Sequence, residues 1–240
     1  SMSGYQGGKA NLANRIGKFI QEAHPHIDYY VEPFCGMANV TRHVTAVYRV
    51  ANDLHPAIKC LWDALKGGWV PPTSVSKEEY LRLKDSQTMT PLKAFAGLSL
   101  GFGGNWFGTY ARARASDIWN GHKYCDAQGF YDFCKFKQSC LLKELNNLRD
   151  VSFTCLDYKD LYIPEGAVVY CDPPYQSTEG YKSGDLQSYL PFDCEEFWQW
   201  VRDLSYHAHV YVSELTAPED FVVCWQVEYG HKRGAKGYGY

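Results

Sequence analysis

The chain has 240 residues, 45% of them hydrophobic and 21% charged, with a formal net charge of -3; that length suffices for one large α/β domain with an inserted subdomain, folding of which would bury roughly 70% of the unfolded surface. No run of about 18 apolar residues occurs and no basic stretch leads into an apolar one, so neither a membrane span nor a signal peptide is expected. The charge is uneven, with 13 Lys/Arg against 9 Asp/Glu over residues 59–150 and 6 against 14 over residues 151–240, which makes the middle of the chain the expected place for contacts with phosphate.

In chain order, Leu12, Ile16, Phe19 and Ile20 fall at helical spacing, predicting a helix over 11–23 that His24-Pro25 closes. Tyr29-Tyr30-Val31 reads as a buried strand opening into the turn Pro33-Phe34-Cys35-Gly36. A helix over 38–48 and a short strand over 49–51 ending in Asn52-Asp53 complete a β-α-β unit. Between about Gly67 and Gly129 the periodicity fails: Pro71-Pro72, a short polar helix near 77–84, then a run from Gly97 to Arg114 with five glycines. Residues 67–129 are therefore expected to be an inserted, mainly helical subdomain, with residues 1–66 and 130–240 forming the main domain. Regular alternation resumes with a helix through 136–148, strands at 151–155 and 167–171, a helix at 194–204, and strands at 209–213 and 222–229. Strands alternating with helices predict a Rossmann-like, doubly wound and mostly parallel sheet, whose ligands bind beyond the carboxyl ends of the strands. Nine cysteines without a Cys-x-x-Cys pair read as reduced thiols in a cytoplasmic protein, and no metal is expected.

Asp172-Pro173-Pro174-Tyr175 directly follows the apolar strand 167–171. A base amino group is a weak nucleophile because its lone pair is delocalised into the ring. Two acceptors aimed at its N–H protons, Asp172 Oδ and the Pro173 carbonyl, would draw the nitrogen toward tetrahedral geometry. The prolines stiffen the turn, and Tyr175 offers a stacking face for an extruded base. A plain Pro-Pro turn with a helix-capping Asp is the alternative.

Further motifs share the sheet edge. Val31-Glu32-Pro33-Phe34-Cys35-Gly36-Met37-Ala38 places backbone amides around Gly36 at a helix start. The full Gly-x-Gly-x-x-Gly fingerprint is absent, which argues against a nicotinamide enzyme. Asp53, about 20 residues beyond that turn, stands where an acidic group can take both ribose hydroxyls, or caps the helix beginning near Pro56. Asp157 in Leu156-Asp157-Tyr158 stands after the next strand, with a helix cap as its alternative.

In this order the motifs resemble those of the Dam-like, phage-type DNA adenine methyltransferases of the alpha group, in which Asp-Pro-Pro-Tyr is the catalytic motif. Tyr5-Gln6-Gly7-Gly8-Lys9 resembles the family's aromatic-x-Gly-Gly-Lys signature, which implies that Tyr5, Gly8 and Lys9 line the cofactor pocket. Glu32, Phe34 and Gly36 match its Glu-Pro-Phe-x-Gly-x-Gly motif, with Phe34 an implied cofactor contact. Ala38 replaces the second glycine, and a methyl group there is expected to be tolerated with φ kept negative. Asp157 resembles the Asp that accepts from the cofactor adenine. Asn105-Trp106-Phe107-Gly108-Thr109-Tyr110-Ala111-Arg112 resembles the family's DNA-contacting hairpin, making Asn105, Trp106, Tyr110, Arg112 and Arg114 the implied DNA contacts and Trp106 or Phe107 the wedge that replaces a flipped base. Ser213-Glu214, Ala217-Pro218 and Asp220-Phe221 also look like the phage branch. Members usually add a strand that pairs antiparallel with 222–229; here Lys232-Arg233-Gly234-Ala235-Lys236 and the last residues leave it unassigned.

The resemblance implies direct methyl transfer from S-adenosylmethionine to adenine N6 in double-stranded DNA by a monomer, yielding S-adenosylhomocysteine, without metal or covalent intermediate. The rivals are a cytosine-N4 enzyme, an inactive DNA-binding protein of the same fold, and an RNA or small-molecule methyltransferase.

Overall fold

Tyr30 and Val31 are both fully buried although they point to opposite sides of a strand, which is the signature of a parallel strand covered on both faces. A computed structural model describes residues 6–111, 113–114, 130–131, 133–174, 192–226 and 236–239. The chain divides into two compact units, one of Ser1–Asn11 with Pro56–Arg149 and one of Leu12–His55 with Asp150–Tyr240.

The second unit holds a seven-stranded sheet. Its strands are β1 (Tyr29–Glu32), β2 (Tyr48–Asn52), β5 (Val151–Thr154), β6 (Val168–Cys171), β7 (His209–Glu214), β8 (Val222–Gln226) and β9 (Lys236–Gly239). Their order is β5-β2-β1-β6-β7-β9-β8. The first five run parallel, and β9 is antiparallel to both β7 and β8. This is the expected Rossmann-like, doubly wound and mostly parallel sheet. The strand unassigned in the sequence is β9, inserted between β7 and β8.

Strand alternation divides the core. Helix α1 (Gln6–Ala23) packs Ala13, Ile16 and Ile20 on the face of Tyr30, Val168 and Tyr170. Helix α6 (Cys194–Leu204) packs Phe197, Trp198, Val201 and Leu204 on the other face, against Val31, Val169, Cys171 and Val212. Asp193 caps α6 by accepting from Glu196 N at 3.0 Å, and Glu195 and Glu196 in its first turn suit the helix dipole.

The expected helix over 38–48 does not form. Only the short 3-10 turn Thr41–His43 is helical. Val40, Thr41, Val44, Thr45 and Val47 make this stretch rich in β-branched side chains, which lose χ1 freedom in a helix.

The other unit is largely helical, with α2 (Pro56–Lys66), α3 (Lys77–Asp85), α4 (Pro91–Ser99) and α5 (Phe133–Leu145), and the two-stranded ribbon β3 (Ala113–Arg114) and β4 (Phe130–Tyr131). Helix α4 went unread because its sequence runs into the glycine-rich stretch. Its start was legible: Thr90 accepts from Lys93 N at 3.2 Å and Pro91 occupies the first turn, a cap followed by a proline that has no amide to waste. Gly97 lies inside α4 because a Cβ there would meet Trp106 at 2.4 Å and Phe107 at 2.6 Å.

Candidate active site

Strands β5, β2, β1 and β6 are neighbours in that order and parallel, so their carboxyl ends open on one edge. Asp157, Asp53, Pro33 to Gly36, and Asp172 to Pro174 leave that edge in turn. The winding changes direction between β1 and β6, which makes this the switch point where an open α/β sheet forms its ligand crevice.

The turn after β1 is tied to the turn after β2. Cys35 N donates to the Asn52 carbonyl at 2.8 Å, and Gly36 N donates to Asp53 Oδ2 at 2.9 Å. Gly36 has φ +50°, and a Cβ on it would meet nothing within 4 Å. Glycine is here for the left-handed backbone, and the space above it is open. Ala38 is fully buried with φ +58°. The expected negative φ is therefore not adopted: the backbone at Ala38 is left-handed, and alanine bears the Cβ strain.

Phe34 is half-buried at the edge of the α6-side core. Its ring centroid lies 5.3 Å from that of Tyr158, 5.8 Å from Phe192 and 5.7 Å from Phe197. The rings seat it rigidly.

Asp53 is 5% exposed, and besides accepting from Gly36 it accepts from His55 N through Oδ1 at 2.9 Å. It thus holds the turn after β1 and its own turn together. Asp157 accepts from Lys159 N at 2.9 Å as the cap of a 3-10 turn over Tyr158–Asp160, and stays partly exposed.

Asp172 is exposed and Pro173 is buried immediately after β6, so the carboxylate leaves the sheet edge on a stiff, anchored turn. Glu32, only 2% exposed, receives the Tyr30 hydroxyl at 2.9 Å. Burial pushes its carboxyl up to about 8, and the nearby charges of Asp172 and Asp53 push the same way. Burial likewise raises the Cys35 and Cys171 thiols well above their usual range, keeping them protonated and poorly nucleophilic. Tyr175 lies outside the described residues.

One side chain that the sequence reading passed over stands among these groups: Asn52, 1% exposed, bonds to the turns on both sides of it. Its residue type carries no signal, and only its partners reveal it.

In the other unit, Gly8 and Lys9 lie in the first turn of α1, and Tyr5 lies outside the described residues. Asn105 is exposed. Trp106 is half-buried against Gly97, and its ring meets that of Phe107 edge-on at 4.8 Å. Phe107 is 4% exposed with φ +41°. The Tyr110 hydroxyl donates to the Val75 carbonyl. Arg112 lies outside the described residues, and Arg114 is in β3. The exposed aromatic of this loop is Phe102, 72% exposed among Gly101, Gly103 and Gly104; the sequence reading passed over it too, although a lone Phe between glycines is a visible signal.

Among the described residues, no group of three or more His, Cys, Asp or Glu is placed to hold a metal ion, and no helix is long and apolar enough to cross a membrane.

The chain is similar to solved structures that include a conserved hypothetical protein of Streptococcus pyogenes (9% identity, TM-score 0.39, 93% of each chain covered). Another is the rRNA methyltransferase aviRa from Streptomyces viridochromogenes (12% identity, TM-score 0.41, 96% of this chain and 83% of that one). A third is a possible methylase from Clostridium difficile 630 (11% identity, TM-score 0.35, 95% of this chain and 52% of that one). Residues 5–91 match the model of the family described as D12 class N6 adenine-specific DNA methyltransferase. That stretch contains Tyr5 to Lys9, Glu32 to Gly36 and Asp53, the amino-terminal half of the motif series. Over that stretch the chain is similar to the D12 class of N6 adenine-specific DNA methyltransferases.

Proposed function

We infer that this enzyme carries a methyl group from S-adenosylmethionine to adenine N6 in double-stranded DNA, at the sheet edge shared by Phe34, Asp53, Asp157 and Asp172. The observation that carries the reading is the convergence of these four turns at the switch point, with Asp172 exposed on a rigid Pro-Pro turn directly beside β1. The pocket suits the cofactor: open space stands above Gly36, an aromatic ring is locked at Phe34, and carboxylates end β2 and follow β5. Asp53 would face the ribose hydroxyls and Asp157 the adenine amino group.

When bound, the cofactor supplies an electrophilic methyl group on a sulfonium. The chain's own residues prepare the nucleophile. Asp172 Oδ and the Pro173 carbonyl accept the two N6 protons, hold the nitrogen lone pair toward the methyl, and stabilise the positive charge that grows on nitrogen. Asp172, being exposed, then takes the proton that the methylated nitrogen sheds and passes it to solvent. Fixing two reactants in line is worth roughly 7–11 kcal/mol of barrier, and a rigid turn is what that needs. Reaching N6 requires the base to leave the helix at a cost of a few kcal/mol, offset by stacking on Tyr175.

Residues 67–129, which lie in the largely helical unit, are assigned to DNA recognition, with Asn105, Trp106, Tyr110, Arg112 and Arg114 as contacts. Since Phe107 is in that unit's core, the wedge that replaces a flipped base is assigned to Phe102.

Asp172→Ala tests the reading. The variant is expected to melt as the parent does, to bind S-adenosylhomocysteine, and to incorporate no methyl group into DNA. Retained N6-methyladenine in digested DNA, read by mass spectrometry, would overturn it.

A further inference from the structure

Asn52 sits at the carboxyl end of β2, and its side-chain amide makes all the hydrogen bonds that an amide can make. Nδ2 donates to the Pro33 carbonyl at 3.0 Å and to the Leu156 carbonyl at 2.9 Å. Oδ1 accepts from Leu156 N at 2.9 Å and from Thr154 Oγ1 at 2.7 Å. Two donors and two lone pairs are thereby used in full. The orientation is unambiguous, because only the NH2 group can face two carbonyls and only the oxygen can face a backbone N–H.

The partners are the point. Pro33 precedes Phe34, and Leu156 precedes Asp157, so the amide grips the two turns that flank it. Those turns belong to β1 and β5, which do not pair with each other because β2 lies between them. The ladders stop at Glu32 with Ala51 and at Asn52 with Thr154; beyond them the backbone bond from Cys35 N to the Asn52 carbonyl ties only the β1 turn to β2, whereas the side-chain amide of Asn52 holds both flanking turns at once. This amide is rigid and uncharged, and its loss would leave two carbonyls and an amide N–H without their partner.

We propose that Asn52 is the positioning residue of the cofactor site, a crossbrace that holds the ring of Phe34 and the carboxylate of Asp157 at the separation the bound cofactor needs. This rests on the reading of the sheet edge as the S-adenosylmethionine pocket. Asn52 touches no reacting atom; it acts through the two turns.

The test is calorimetric titration of the full chain with S-adenosylhomocysteine, comparing the parent with Asn52→Asp and Thr154→Val. Asn52→Asp keeps size and the accepting oxygen but sets a second oxygen against two carbonyls. At about pH 7.5 it is expected to raise Kd by about ten- to a hundredfold with a stoichiometry still near one, and to raise KM for S-adenosylmethionine far more than it lowers kcat. Toward pH 5.5 the gap narrows, since burial at this position raises the affinity of a carboxyl for its proton and the protonated form donates to one of the carbonyls. Thr154→Val removes only the hydroxyl that helps to orient the amide and raises Kd by about two- to tenfold. An unchanged Kd with fewer competent molecules means that Asn52 serves stability alone, and overturns the positioning role while leaving the pocket intact. Should Asn52→Asp fail to fold, an unchanged Kd in Thr154→Val overturns it equally. A parent protein that does not bind the ligand overturns the pocket itself, and this proposal with it.

Discussion

The backbone amide of Gly36 donates to Oδ2 of Asp53 at 2.9 Å, so the acidic residue after β2 holds the shape of the turn after β1. Its other oxygen holds His55 N. Asp53→Asn must turn an NH2 group toward one of these N–H groups. The expected result is a loss of about 1–3 kcal/mol of stability together with at least tenfold weaker binding of S-adenosylhomocysteine (about 1.4 kcal/mol), read by thermal melting and calorimetry. Parent-like affinity would remove Asp53 from the pocket.

Gly36 and Ala38 share left-handed backbone but differ in surroundings. Gly36→Ala meets no atom, so its cost is conformational, about 1–2 kcal/mol. Ala38→Gly relieves a similar strain. It also removes a buried methyl group worth about 0.8 kcal/mol and frees the unfolded chain by about 0.5–1 kcal/mol. The two sides nearly cancel, and a shift within about 1 kcal/mol is expected in denaturant titration. A large loss at Ala38→Gly would mean that its methyl group packs more tightly than its burial indicates.

Glu32 makes folding stability depend on pH. Its carboxyl titrates at about 8 in the fold against 4.5 in the free state. The folded protein thus binds the proton more tightly than the unfolded chain. The stabilisation this carries is complete below pH 4.5, declines as pH rises, and is gone above 8. Glu32→Gln keeps an acceptor for the Tyr30 hydroxyl and removes the titration, so the fall in melting temperature between about pH 4.5 and 8 should flatten. The residual slope reports the other titrating groups. An unaltered slope would assign the pH dependence to those groups instead.

Phe102 and Phe107 are five residues apart and should behave oppositely. Phe107→Ala empties a buried site that also takes the rings of Tyr80 and Trp106 and is expected to cost about 3–5 kcal/mol. Phe102→Ala lies at the surface and should alter stability by no more than about 0.5 kcal/mol. If Phe102 is the wedge, its loss lowers the rate on DNA by about tenfold and weakens the fluorescence rise of 2-aminopurine placed at the target base. A parent-like signal would return the wedge to Trp106.

Much of the sheet was legible. The run Ala167 to Cys171 is apolar at every position because both faces are covered, and a proline pair after it marks the strand's end; β1 shows the same logic. The stretch after β1, expected as a helix over 38–48, is rich in β-branched residues, and Ala38, a good helix former, is held in left-handed geometry by the turn around it. Strand β9 was illegible for another reason: Lys236–Gly239 has no apolar alternation, and its place depends on β7 and β8 already standing apart to receive it.

The same division holds for the site. That Phe34, Gly36, Asp53, Asp157 and Asp172 leave one sheet edge could be read from the sequence, because each lies a few residues past a strand, and strand periodicity is encoded locally. That Asp53 braces Gly36, that Glu32 is sealed and protonated, and that Asn52 joins Pro33 to Leu156, 19 residues before it and 104 after it, was decided only by tertiary structure. Hydrogen-bond partners so distant in sequence meet only once the sheet has set its strand order, and burial then removes the water that would otherwise have served each group as well.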